Sequence, residues 1–310
     1  MHAFKMKPRM QERIWGGARL RTKFGKEIPS SATGESWEIS AQGENLSLVN
    51  GGPDEGKTIP QLIAQYGERL LGEAVFRKYG TEFPLLVKFI DANDALSVQV
   101  HPGDEYARAR EGQPFGKSEM WYIVEAEPGA EIVYGLKEEM TREQLSAAVA
   151  EGRLEEKLNA VSVREGDAFF IPAGLLHSLG KGILAAEIQQ SADLTYRLYD
   201  YGRVGKDGKP RELHLEKAGE VAGLSSSVGR ERAYMEEGVR SEFFFVQNLT
   251  VSGERRCIIS PEAFEILVCC QGEGQLDGRP FSAGDCFLVP AALGGYTLAG
   301  EAVFLRGRPS

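Results

Sequence analysis

The eight residues Gly166-Asp167-Ala168-Phe169-Phe170-Ile171-Pro172-Ala173 return later in the chain as Gly284-Asp285-Cys286-Phe287-Leu288-Val289-Pro290-Ala291. Each copy reads as a Gly-Asp turn, a short apolar strand and a proline-bounded corner. Upstream of each lies another strand pair in the same order, Trp121 to Val133 in the first and Phe264 to Leu276 in the second. A chain that carries one β-unit twice is expected to build two similar barrels or sandwiches. At 310 residues there is room for both. The reading is a first domain over 1–217, a linker over 218–240 that is rich in Gly, Ser and charge, and a second domain over 241–310.

The rest of the chain agrees with an all-β plan. Short apolar runs such as Leu85 to Ala92, Ile183 to Ile188 and Phe243 to Val246 are separated by Gly, Pro, Asn and Asp. Two segments differ, near 58–79 and 138–158. Thr58-Ile59-Pro60-Gln61 and Thr141-Arg142-Glu143-Gln144 each have the form of a capping box, in which the first side chain and the fourth satisfy each other's backbone N–H groups. Behind them apolar residues recur at helical spacing, for example Ile59, Leu62, Ile63, Tyr66 and Leu70. These are read as short helices inserted in a β-protein.

The net charge of −9 offers no broad basic surface to nucleic acid, although it leaves room for a local basic pocket. No run approaches the roughly 18 apolar residues of a membrane span, and Met1 to Gly17 lacks the core of a signal peptide. The four cysteines, Cys257, Cys269, Cys270 and Cys286, read as buried free thiols rather than a disulfide framework. A cytoplasmic protein, monomeric or homodimeric, is expected.

Only four histidines occur: His2, His101, His177 and His214. In Ser97-Val98-Gln99-Val100-His101-Pro102, strand alternation sends Gln99 and His101 to one face and the valines to the other. In Gly116-Lys117-Ser118-Glu119, the same parity puts Lys117 and Glu119 together. His177 follows the Pro172-Ala173-Gly174 corner. A lone histidine is more often a hydrogen-bonded core residue than a ligand. Two imidazoles, a carboxylate and an amide oxygen on separate strands are better explained as a site for one divalent ion such as zinc, through Gln99, His101, Glu119 and His177. His2 and His214 read as terminal and surface residues. The second copy of the repeat holds no histidine, and Gly295 falls where His177 stands, so that copy is expected to be metal-free.

These motifs resemble the cupin superfamily and, within it, the type I mannose-6-phosphate isomerases in their short bacterial form. The resemblance runs from Ile14-Trp15-Gly16-Gly17 to the C-terminus. It is densest in Leu85 to Ala92, Leu96 to Pro102, Gly116 to Trp121, Pro172 to His177 and Thr195-Tyr196-Arg197-Leu198-Tyr199-Asp200. It implies two cupin-like jelly-roll barrels and one zinc ion per chain on the same four residues. It also implies an essential Arg197, with Trp15, Lys88, Lys117, Glu187 and Asp193 lining the pocket. Arg203 stands where longer relatives have a lysine, and the large helical domain of those relatives is reduced here to the two insertions. The implied reaction converts mannose 6-phosphate and fructose 6-phosphate through an enediol(ate). Glu187 or a metal-bound hydroxide is the candidate base, and Lys88, Lys117 and Arg203 are candidates for the phosphate. Two rivals are another metal-dependent cupin enzyme such as a dioxygenase, and a sugar-binding cupin without catalysis.

Overall fold

The computed structural model describes residues 1–205, 208–230, 235 and 237–310. Part of the expected linker, residues 231–234 and 236, lies outside the described residues. The fold is mainly antiparallel β. A six-stranded sheet runs in the order Ala168–Ile171, Glu119–Ala126, Ile183–Gln190, Leu85–Ala92, Thr33–Ile39, Arg9–Gly17. Opposite it lies a five-stranded sheet in the order Leu158–Ser162, Glu131–Leu136, His177–Leu179, Val98–Val100, Tyr196–Tyr199.

Leu85–Ala92 and Ile183–Gln190 are buried at every position, because the six-stranded sheet is covered on both faces. One face packs Ile90, Trp121, Ile123, Phe169 and Ile183 against Ile132 and Leu179 of the five-stranded sheet. The other face packs Phe89, Met120 and Ile188 against Phe4, Phe244, Ile266 and Leu288 of an eight-stranded sheet built largely from the C-terminal third. The N-terminal strand Phe4–Lys7 belongs to that last sheet, where it pairs with Cys286–Val289.

The two copies of the repeat fold alike. Gly166 and Gly284 both adopt positive φ, 88° and 91°, in the tight turn before the strand. Ile123 and Cys269 donate from their backbone N–H to the carbonyls of Asp167 and Asp285, each at 2.9 Å. In return Gly166 and Gly284 donate to the carbonyls of Ile123 and Cys269.

Both capping boxes are formed, at Thr58 with Gln61 and at Thr141 with Gln144. The first insertion is not one helix but three short ones, Ile59–Tyr66, Glu68–Leu71 and Glu73–Tyr79. Gly67 and Gly72, both at positive φ, break the helical path. At Gly72 the chain turns onto the C-terminal sheet, where Glu73 N–H donates to Pro261 and Phe264 N–H donates to Leu71. Among the described residues no helix is long and apolar enough to cross a membrane.

Candidate active site

Strand pairing brings the sequence-predicted residues together. His177 lies directly opposite Gln99 in the five-stranded sheet, and Arg197 pairs with Gln99 from the other side. In the facing sheet Trp37, Lys88, Glu187 and Trp121 form a row across four neighbouring strands, while Glu119 opens the strand that carries Trp121. The two sheets thus aim one polar cluster at each other from within an otherwise apolar sandwich.

His101, Glu119 and His177 are essentially inaccessible to solvent. The two imidazole Nε2 atoms stand 3.1 Å apart, and Glu119 lies 3.6 Å from that of His101 and 3.4 Å from that of His177. His101 Nδ1 is 2.7 Å from the Leu194 carbonyl, and His177 Nδ1 is 2.8 Å from the Leu175 carbonyl. Those carbonyls can only accept, so each Nδ1 carries the proton and each Nε2 points a lone pair at the centre. The Gln99 amide is 3.4 Å from His177 Nε2, and a half-turn about its last bond presents the oxygen to the same point.

Three acceptor groups converge, and Glu119 Oε1, 3.4 Å from His177 Nε2, has no hydrogen-bond donor. Lys117 Nζ pairs with Glu119 Oε2 at 2.7 Å and stands 3.0 Å from His101 Nε2, so a cation of the chain's own already sits at the edge of the cluster. Burial, then the nearby Glu187, pushes the Glu119 carboxyl up to about 7 against the pull of Lys117. Burial also lowers His177 to about 4 and holds His101 well below its ordinary value, with Lys117 acting in the same direction on both. Converging lone pairs on two buried neutral imidazoles, beside a buried carboxylate with one oxygen left without a donor, fit a divalent cation better than a core.

A cleft of about 270 Å³ opens beside this cluster, lined among others by Trp15, Lys88, Gln99, Lys117, Trp121, Glu187, Asp193 and Arg197. Glu187 is 3.2 Å from Lys88 and accepts from Trp121 Nε1 at 2.9 Å. Burial disfavours its charge, but Lys88, Lys117 and the Trp121 N–H outweigh that and hold its carboxyl down at about 2. Arg197 donates from Nε to Ser97 Oγ at 3.2 Å and from Nη1 to the Glu212 carbonyl at 2.9 Å.

Arg203 is not among the residues lining the cleft. Its guanidinium turns to Asp200 at 2.5 Å and to the Ala95 carbonyl. Arg211 lines the cleft, as do Arg13 and Glu35, which pair at 2.8 Å. His214 is no idle surface residue, since its Nδ1 accepts from the Arg197 backbone N–H at 3.1 Å. These four escape a sequence reading because neither strand parity nor the repeat points to them. The only available signal, the clustered charge of Arg211-Glu212-Leu213-His214, is what any surface turn also carries.

Residues 3–138 match the family profile described as phosphomannose isomerase type I, catalytic domain. Mannose-6-phosphate isomerase ManA of Bacillus subtilis is 40% identical over 96% of this chain and 95% of its own. The mannose-6-phosphate isomerase of Streptococcus mutans is 36% identical over 96% and 95%. Among solved structures, the mannose 6-phosphate isomerase of Bacillus subtilis superposes with a TM-score of 0.88 at 35% identity, covering 99% of both chains.

Proposed function

This chain belongs to the type I phosphomannose isomerases, a family of aldose–ketose isomerases, and from that premise we propose that it interconverts mannose 6-phosphate and fructose 6-phosphate with one zinc ion per chain. The single observation that carries the metal is the meeting of His101, Glu119 and His177 ligand atoms in one dry pocket. His101 and His177 would bind through Nε2, Glu119 through its carboxylate and Gln99 through its amide oxygen. This set leaves coordination room for a substrate oxygen. Held there, such an ion would supply Lewis-acid polarisation of the sugar oxygens.

The chain's own residues do the rest. Moving a proton between C2 and C1 needs a base in its proton-accepting form beside those carbons. Glu187 is held ionised by Lys88 and Lys117, and it lines the cleft. It is the proposed base. Negative charge grows on the sugar oxygens as the enediolate forms, and Lys117 is the fixed cation that favours it, with Arg197 binding the substrate from the strand Tyr196–Tyr199. Trp15 walls the cleft, and Lys88 and Asp193 contact the substrate. Arg203 acts on it through Asp200, which it shares with Arg211.

The same reading extends to the architecture. The matched turns of the two repeats support two cupin-like jelly-roll barrels, a catalytic one over 1–217 and a metal-free one over 241–310, joined by a linker over 218–240. A cytoplasmic monomer or homodimer fits the free thiols. The test is turnover of mannose 6-phosphate before and after chelation, with metal analysis alongside. Activity should vanish with the metal and return with added zinc. Full activity in protein shown to be metal-free would sink the zinc-dependent mechanism.

A further inference from the structure

Three cations in the cleft already have carboxylate partners: Arg13 with Glu35, Lys88 with Glu187 and Lys117 with Glu119. Arg197 is different. Its side-chain hydrogen bonds go to neutral groups, Ser97 Oγ and the Glu212 carbonyl, and among the described residues no carboxylate lies within ion-pair distance of it. Next to it, Arg211 and Arg203 share the single carboxylate of Asp200. Arg211 donates from Nε at 2.7 Å and bonds the other oxygen through Nη2, while Arg203 Nη2 sits 2.5 Å away. Arg203 also reaches Asp94 at 3.7 Å, so its charge is answered on the side away from the cleft lining. Positive charge is therefore left over on Arg197 and Arg211, the two guanidinium groups of this cluster that line the cavity.

The two arginines are also held at a set spacing. Arg211-Glu212-Leu213-His214 runs alongside Arg197 as a strap. His214 N–H donates to the Arg197 carbonyl at 2.8 Å, Arg197 N–H donates to His214 Nδ1 at 3.1 Å, and the Glu212 carbonyl takes the Arg197 side chain. One segment thus supplies Arg211 and fixes Arg197 at both backbone and side chain. A pair of planar guanidinium forks, half-buried and short of one counter-charge, suits a compact dianion with three acceptor oxygens. A phosphate monoester carries about −1.5 to −2 charge near neutral pH.

Resting on the isomerase reading above, we propose that Arg211, together with Arg197, grips the phosphate group of the sugar phosphate, and that Arg203 acts one step back by holding Asp200. Arg211 is then a specificity-determining residue: it separates phosphorylated from free hexose and takes no part in moving the proton.

The experiment uses the zinc-loaded full-length protein and inorganic phosphate as the probe. KM for mannose 6-phosphate and the inhibition constant of inorganic phosphate are measured for the native protein, Arg211→Gln and Arg211→Lys, with zinc content and circular dichroism recorded for each. Loss of one charge-assisted contact should raise both constants about tenfold or more in Arg211→Gln, with kcat changed far less and zinc retained. Arg211→Lys should recover part of the loss, since charge returns without the fork. Unchanged phosphate inhibition in a folded Arg211→Gln overturns the proposal, as does a loss confined to kcat or zinc content. If Arg211→Gln does not fold, an Arg211→Lys protein with native phosphate inhibition overturns it equally. If the native protein fails to turn over mannose 6-phosphate, the isomerase reading falls, and calorimetric titration of phosphate into native and Arg211→Lys protein still decides the role of Arg211.

Discussion

Glu265 and Arg306 form a two-point ion pair at the positions that Glu119 and Glu187 hold in the first copy of the repeat. Glu119 pairs with Ile171 and Glu265 with Val289, the last strand residues of the matched motifs. Two residues on, Trp121 faces Glu187, and Leu267 faces Arg306. Arg306 Nε lies 2.9 Å from Oε2 of Glu265 and Nη2 lies 2.5 Å from Oε1, with Tyr296 OH donating to the same carboxylate at 3.2 Å. The second copy carries a cation of its own where the first gathers lone pairs.

This relationship makes Arg306 structural. Arg306→Ala leaves Glu265 buried without its counter-ion, and removing one partner of a buried pair costs about 3–5 kcal/mol. With a fifth of the Arg306 side chain exposed, the loss should be nearer 2–3 kcal/mol. Urea unfolding measures it, and zinc content should stay at the native level. A midpoint unchanged from native would show that the pair contributes nothing.

Glu187→Gln tests the proposed base. The carboxamide keeps the volume and can still accept from Trp121 Nε1, but it cannot take a proton. Turnover should drop about 10²–10⁴-fold, the usual contribution of a positioned base. Zinc should be retained, because Glu187 bonds to Lys88 and Trp121 rather than to the histidines. Loss of zinc in step with activity would instead make Glu187 a support for the metal site.

Acid should weaken the metal-stripped protein. Burial lowers His177 to about 4, and His101 also lies well below its ordinary 6.5. Between those values the unfolded chain takes up protons that the folded imidazoles refuse, so stability is lost as pH falls through about 6.5 toward 4. Glu119, raised to about 7, acts in the opposite sense, since the folded state then binds a proton before the unfolded one does. Two imidazoles outweigh one carboxylate. Urea midpoints of chelated protein should fall from pH 7.5 to pH 5, and an equal or higher midpoint at pH 5 contradicts the assignment.

Gly72 locks the helical insertion onto the C-terminal sheet. Its φ is +92°, and a Cβ there would come within 2.4 Å of the Ala263 backbone nitrogen. Gly72→Ala should cost about 2 kcal/mol or more, combining backbone strain with a clash that no side chain can relieve. Gly25 also has positive φ, +64°, but open space around it. Gly25→Ala should cost only about 1 kcal/mol. Equal melting temperatures for the two variants would refute the close approach.

Much of the centre is legible in the sequence because it obeys strand periodicity. Gln99 and His101 share a face two residues apart, as do Lys117 and Glu119, and the repeat marks the corner before His177. The first helical insertion is legible in kind but not in detail. The apolar spacing from Ile59 to Leu70 runs past Gly67, where the helix breaks at positive φ before the chain turns onto the C-terminal sheet at Gly72. Arg211 and His214 follow no period at all.

The sequence by itself determined which side chains share a strand face, where helices begin, and that one β-unit occurs twice, since these depend on neighbours within a few residues. Only the tertiary structure decided that Arg211 rather than Arg203 lines the cleft, that Phe4–Lys7 pairs within the C-terminal sheet, and that Arg306 neutralises Glu265. Those outcomes rest on which distant strands pair and on how buried charges find partners. Such pairings are set by the summed burial and electrostatics of the whole chain, and no local pattern encodes them.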